Sequence, residues 1–332
     1  MIARLTKARV AVALAGAAVA LLAAAGPALA QAKWNLPAAY PADNFHSENL
    51  VQFAKDVEAA TGGKLAITVH ANASLFKAPE IKRAVMTGQA QMGEVLMSIH
   101  ENEDPLFGVD VVPFLATSFP DSVKLWKAAK PEIAKKLEAQ GLLVLFSVPW
   151  PPQGIYSKKE LKSTADMKGL KWRAYNVGTA RIGEAVGAQA VTVQAAELAQ
   201  ALATGVVDSF ASSGATGYDI KVWESLKYFY DTQAWLPRNI TFVNKAAFEA
   251  LDKPTQEGVL KAAAEAEARG LKVAEEKSAW YLAQFKEKGM VVGPPSPELE
   301  AGFKKIGESL TADWIKKAGA SGQAVIDAYK KM

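Results

Sequence analysis

The sequence predicts a mixed α/β protein built as two lobes around a central cleft, with crossover strands and one long helix spanning both lobes. Three observations carry this. Strand and helix patterns alternate along the chain, as they do where helices cover a mainly parallel sheet. The chain has 332 residues, more than a single core commonly serves. The rhythm then breaks at Pro149-Trp150-Pro151-Pro152-Gln153-Gly154, where three prolines and a glycine suit a strand crossing from one lobe to the other.

Taken in order, residues 47–60 read as a helix, followed by the turn signal Gly62-Gly63 and the alternating strand Lys64 to His70. Residues 78–88 read as a helix, 91–98 as a strand, 122–140 as a helix and 142–148 (LLVLFSV) as a buried strand. After the proline-rich break, 169–174 reads as a strand, 177–186 and 195–204 as helices, and 207–211 and 240–244 as strands. From Pro254 to about Lys288 the chain is rich in Ala, Glu and Lys, with Leu260, Ala264, Leu271 and Ala274 near helical spacing. Such a helix is long enough to run along both lobes. The expected division is lobe I from residues 31–150 with about 239–278, and lobe II from 151–238 with about 279–332. Lobes crossed by several segments enclose a cleft at their junction, the usual place for a small-ligand site.

The first thirty residues read as an address. Arg4, Lys7 and Arg9 precede an apolar run from Val10 to Ala25, and Ala28-Leu29-Ala30 forms an A-x-A site. The run falls short of the ~20 residues that a membrane-spanning helix needs, so cleavage after Ala30 and a periplasmic mature chain are expected. These residues hold three basic and no acidic side chains, so the formal charge of +4 falls to +1 without them. A near-neutral surface offers no broad phosphate-binding face, which argues against a nucleic-acid partner. The absence of cysteine excludes disulfides, thiolate metal sites and cysteine nucleophiles.

Catalytic signatures are not found. The three histidines, His46, His70 and His100, have no second ligand at metal-binding spacing. There is no nucleophile elbow, no phosphate loop and no dinucleotide turn. No cofactor or metal is expected, and the chain reads as a binding protein rather than an enzyme.

Recognition chemistry is better represented. Arg173 stands at the carboxyl end of the predicted strand 169–174, where its guanidinium could offer two parallel N–H donors to a carboxylate. Asn176, three residues on, suits both a ligand hydrogen bond and a helix N-cap. Trp150 in the crossover, with Tyr175, Phe210, Trp235 and Phe45, supplies aromatic walls, although aromatics are more often core than lining. Lys77 and Glu94 complete the set of candidates.

Several stretches together resemble the solute-binding proteins of tripartite ATP-independent periplasmic (TRAP) transporters. These are Phe53-Ala54-Lys55-Asp56-Val57 with Thr61-Gly62-Gly63-Lys64-Leu65, and Glu80-Ile81 with Gly88-Gln89-Ala90-Gln91-Met92. Leu170-Lys171-Trp172-Arg173 and the run Glu197 to Asp208 (ELAQALATGVVD) continue the match over nearly the whole mature chain. The resemblance implies a two-lobed periplasmic-binding-protein-like clamp that closes on an organic acid and delivers it to membrane subunits. Arg173 matches the carboxylate-binding arginine and Asn176 a ligand-binding position; the family also includes dimers, and a monomer is the expectation here. Two departures matter. Many members carry a second arginine where this chain has Gln153, and a Glu-Asn pair where it has Ser212-Ser213. Those neutral groups suit hydroxyl or keto oxygens. An unpaired second carboxylate would be costly to bury, so an aromatic monocarboxylate is expected, with a sugar acid as the alternative ligand and an exported enzyme or a sensor domain as the alternative class. Lys77 is the cation that would stand in for the missing arginine if the ligand were a dicarboxylate.

Overall fold

The structure is a computed structural model that describes residues 31–332; the leader expected over residues 1–30 lies outside the described residues.

Strand β1 (Ala32–Pro37) pairs with β2 (Leu65–His70), and between them lies helix α1 (Phe45–Ala60). The Asn44 side chain accepts the His46 N–H and caps α1, while Leu50, Phe53, Ala54 and Val57 turn one apolar face inward. Helix α2 (Ala78–Met86) begins with Pro79 in its first turn and packs over Gly93 of β3 (Met92–Leu96), where Ile81 and Val85 sit. Helix α3 (Phe119–Glu138) starts three residues before the sequence-predicted helix, because Ser118 caps it and Pro120 occupies its first turn.

Strands β4 (Leu142–Pro149) and β10 (Arg238–Asn244) complete a three-stranded sheet of order β3-β10-β4, antiparallel throughout. The second sheet has six strands in the order β11-β9-β5-β8-β6-β7, comprising β5 (Gln153–Ser157), β6 (Lys171–Ala174), β7 (Gln189–Thr192), β8 (Ser209–Ser213), β9 (Tyr228–Tyr230) and β11 (Val291–Gly293). Its β8-β6-β7 half is parallel, whereas β5 is antiparallel to both β8 and β9. With β11 also parallel to β9, three of the five ladders in this sheet are parallel, so the expectation of a mainly parallel sheet holds here and fails in the antiparallel three-stranded sheet. Crossover chain re-enters each sheet from the other lobe, and both β10 and β5 are laid in against the direction of their neighbours.

The two sheets mark the two lobes. Between them the segments after β4 and before β10 run side by side, with Trp150 N–H donating to the Pro237 carbonyl at 2.7 Å and Gln153 N–H to that of Trp235 at 2.9 Å. Helix α8 (Lys253–Glu287) spans both lobes: 35 residues at about 1.5 Å each give it a length of roughly 50 Å. At one end Asn49 Nδ2 donates to the Ala266 carbonyl at 3.0 Å, and Trp126 Nε1 to Glu267 at 3.0 Å. At the other end Phe285 enters the lobe II core beside Tyr156 and Phe229. Sequence periodicity did not register the last helix, α9 (Pro297–Lys330), which breaks at Gly319. It anchors Leu299 and Phe303 in the core beneath the six-stranded sheet and then reaches lobe I, where Trp314 Nε1 donates to the Pro105 carbonyl at 2.8 Å. Short helices α4 (Val177–Ala185), α5 (Leu198–Ala203), α6 (Gly214–Asp219) and α7 (Lys245–Glu249) fill the loops. Among the described residues no helix is long and apolar enough to cross a membrane.

Candidate functional site

A cleft lined by residues of both lobes lies at the crossover, where small-ligand sites commonly form. Strand β6 sets its chemistry. Trp172 packs under α4, its Nε1 donating to the Thr179 carbonyl at 2.8 Å, and the next residue along the strand, Arg173, lines the cleft. The Arg173 side chain is 3% exposed, and its Nε donates to the Val193 carbonyl at 2.8 Å. Among the described residues its two terminal amino groups have no acceptor and no carboxylate lies within ion-pair distance. Burial pulls its pKa down to about 10, so the group stays cationic near neutrality with no anion to offset it. A desolvated, uncompensated cation at a cleft wall is an anion site in search of an anion.

Around Arg173 the remaining polar groups are neutral. Gln153 lines the cleft, but its amide is committed: Oε1 accepts from Tyr175 Oη at 3.3 Å, and Nε2 donates to the Pro151 carbonyl at 3.2 Å. Tyr175 lies with its ring 5.0 Å from the Arg173 guanidinium, and its hydroxyl accepts from Trp235 Nε1 at 3.0 Å. Ser212, on β8, lines the cleft with its hydroxyl unpartnered among the described residues, and the side-chain amide of Gln194 is likewise free. Trp150 forms a wall edge-on to Tyr40 at 4.7 Å between ring centres, its Nε1 held by Asn239 Oδ1 at 2.8 Å.

Thus Arg173, Trp150, Gln153, Tyr175 and Ser212 are brought together, and the other candidates are not. Phe210 stacks on Tyr156 at 4.4 Å inside lobe II, and Trp235 is core behind Tyr175. Phe45 backs Trp150 at 5.5 Å without reaching the cleft. Ser213 caps α6, accepting the Thr216 N–H at 3.3 Å. Glu94 is buried beneath the cleft, its Oε1 3.4 Å from His46 Nδ1; burial lowers the pKa of that histidine, which favours the neutral form. Lys77 stands at the mouth, exposed and 3.9 Å from Glu197 of lobe II. Asn176 is the N-cap of α4, its Oδ1 accepting the Thr179 N–H at 2.8 Å, and its Nδ2 crosses to Ser98 Oγ of lobe I at 2.9 Å. It closes the lobes against each other rather than lining the cavity.

Sequence reasoning missed Leu96, Ile99, Gln194, Ala195 and Thr216, all of which line the cleft. Three of the misses lie at or just beyond the carboxyl ends of strands, Leu96 and Ile99 at β3 and Gln194 beyond β7, where α/β ligand sites commonly lie. That was the signal available. No cluster of three or more potential metal ligands occurs among the described residues.

Two lobes joined by several segments, with a buried cation facing the cleft between them, define a solute-binding protein of the periplasmic type. The family model for bacterial extracellular solute-binding protein, family 7 (DctP), matches residues 38–317, and the chain belongs to that family. It is 57% identical to DctP6, a Bordetella pertussis extracytoplasmic solute receptor that binds pyroglutamic acid; 90% of this chain and 100% of that one superpose with a TM-score of 0.89. It is 50% identical to a TRAP solute-binding protein specific for pyroglutamate from an unidentified marine microbe, with coverage of 91% and 100% and a TM-score of 0.90. A second Bordetella pertussis receptor that binds pyroglutamic acid, DctP7, is 45% identical, with coverage of 90% and 99% and a TM-score of 0.89. The chain is therefore a TRAP solute-binding protein for small carboxylates, a transport receptor and not an enzyme.

Proposed function

We propose that this protein captures a small cyclic monocarboxylate of the pyroglutamate type in the periplasm and presents it to the membrane subunits of a TRAP transporter. The observation that carries the reading is Arg173, one buried cation with two unused amino groups in a cleft whose other polar groups are neutral. One carboxylate is matched there and a second would be buried unpaired, at a cost of several kcal/mol. The three similar pyroglutamate receptors support the choice of a lactam acid over the aromatic acid that the sequence suggests, and the ring faces of Trp150 and Tyr175 suit a flat saturated ring as well as an aromatic one.

Closure follows from where the contacts lie. Polar groups for the ligand come from lobe II and the crossover, while Ala39, Leu96 and Ile99 of lobe I supply an apolar cover. A ligand held on Arg173 gains those contacts only when the lobes meet, so it shifts the population toward the closed form. The test is calorimetry of the exported protein, freed of co-purified ligand by unfolding and refolding, against L-pyroglutamate, 4-hydroxybenzoate, galactonate and succinate. Tight binding of L-pyroglutamate above the rest supports the proposal; binding of succinate or of the aromatic acid in its place overturns it.

A further inference from the structure

We infer that Gln194 is the residue that selects the ligand's lactam edge, reading its ring N–H and carbonyl together through the side-chain amide; this rests on the lactam reading of the cleft. Three observations carry it. Gln194 lines the cleft with Arg173 and is half-buried, yet its carboxamide makes no hydrogen bond within the described protein, not even as cap of the turn it precedes. Gln153, the other amide in the cleft, already holds one hydrogen bond at each end, from Tyr175 and to Pro151, so its orientation is fixed by the protein and not by a ligand. The third is that Gln194 is indexed to the cation. Arg173 Nε donates to the carbonyl of Val193 at 2.8 Å, and Val193 N–H donates to the carbonyl of Ala174 at 3.0 Å. The residue preceding Gln194 is therefore tied to strand β6 through both its N–H and its carbonyl.

The chemistry matches this arrangement. A lactam is a cis amide, so its N–H and C=O point out of the same ring edge, one donor beside one acceptor. A primary carboxamide presents the complementary acceptor and donor in one plane, and two such amides close a pair of parallel hydrogen bonds. In a five-membered lactam acid the ring nitrogen is bonded to the carbon that bears the carboxylate. Groups reading carboxylate and lactam must then be close neighbours, as Arg173 and Gln194 are through Val193. Ser212, whose hydroxyl is also free, offers its donor and its acceptor from one oxygen atom, so it does not present the side-by-side pair that a carboxamide does. Arg173 thus supplies affinity for any small carboxylate, and Gln194 supplies the choice among them.

The experiment measures dissociation constants of wild type and of Gln194→Leu for L-pyroglutamate, cyclopentanecarboxylate, which keeps the ring and carboxylate but lacks the amide edge, and 5-oxotetrahydrofuran-2-carboxylate, which lacks only the N–H. Wild type is expected to prefer pyroglutamate over cyclopentanecarboxylate by about 10- to 100-fold, since an amide edge left without its partner in a cleft costs on the order of a tenfold step or two. The lactone should fall between them. In Gln194→Leu the preference should collapse to within about threefold while cyclopentanecarboxylate binds as in wild type, which also reports an intact fold. A preference preserved in the variant overturns the assignment of Gln194 while leaving the lactam reading in place. Failure of wild type to bind pyroglutamate overturns both.

Discussion

Arg173 Nε donates to the Val193 carbonyl at 2.8 Å, and no carboxylate answers the charge. The bond fixes the guanidinium plane from behind and leaves its two amino groups facing the cleft, so the cation is oriented before any ligand arrives. Replacing Arg173 with methionine should abolish measurable binding of small carboxylates. It should also raise the melting temperature of the unliganded protein, because the variant no longer holds a desolvated, unpaired charge. Thermal melts with and without ligand check both halves; an unliganded melt that drops by several degrees would mean that Arg173 is structural first.

Asn176 Nδ2 donates to Ser98 Oγ at 2.9 Å across the lobes. Ser98→Ala removes that arm and leaves the cap of α4 in place. The variant should unfold at a urea midpoint near wild type but bind ligand a few fold more weakly, since about 1 kcal/mol of closed-state contact is lost. Asn176→Ala removes the cap as well, and should add about 1 kcal/mol of destabilisation to the same loss of affinity. Equal unfolding midpoints for the two variants would contradict the division.

Much of this was legible in residue type. Glycines, prolines and apolar periodicity marked most elements of the two lobes, and an arginine at a strand end marked the anion site. What residue type could not resolve was direction. Phe210 and Trp235 satisfy the same description as Trp150 and Tyr175, yet face the core, because which face of a strand turns to the cleft depends on sheet pairing that no local pattern encodes. Strand β5 escaped notice since its residues are buried on both faces and show no alternation. Gln153 and Gln194 are chemically identical, and only the partners of the first, Tyr175 and Pro151, distinguish a structural amide from a free one.

Helix α8 meets the crossover at Gly270. A methyl group there would lie 2.4 Å from Val148 Cγ2 and 2.9 Å from Asn49 Nδ2. Alanine gains up to about 1 kcal/mol of helix propensity, but overpacking of this kind costs roughly 1–3 kcal/mol and forces the helix off β4. Gly270→Ala should therefore lower the urea midpoint, and an unchanged or higher midpoint would show that the helix can shift without cost.

Burial raises the pKa of Asp110 from 3.8 to about 7, against the opposing effect of Arg238, whose backbone N–H donates to Asp110 Oδ2 at 2.7 Å. A carboxyl raised in this way holds more protons folded than unfolded, so its contribution opposes folding increasingly as pH climbs from about 4 to about 7 and levels off beyond. Asp110→Asn keeps an acceptor for the Arg238 N–H and cannot titrate. Relative to wild type, the variant should gain stability across that window, by a few kcal/mol at most, and run parallel to it above. A constant offset between the two denaturation profiles from pH 4 to 8 would show that Asp110 does not titrate there.

Lys77 was the cation available to a second carboxylate, and its position argues against the part. Its side chain is 72% exposed and pairs across the mouth with Glu197 at 3.9 Å, outside the space that Arg173 lines. Exposed pairs of this kind contribute between nothing and about 1 kcal/mol, and salt screens them. Lys77→Ala should consequently change monocarboxylate affinity by less than about fivefold, with the difference vanishing at 0.5 M salt on the order of a 4 Å Debye length. It should leave succinate as weak as in wild type. A succinate affinity that depends on Lys77 would place a second anion subsite at the mouth and would return Gln153 to the position of a replaced arginine whose charge had moved rather than disappeared.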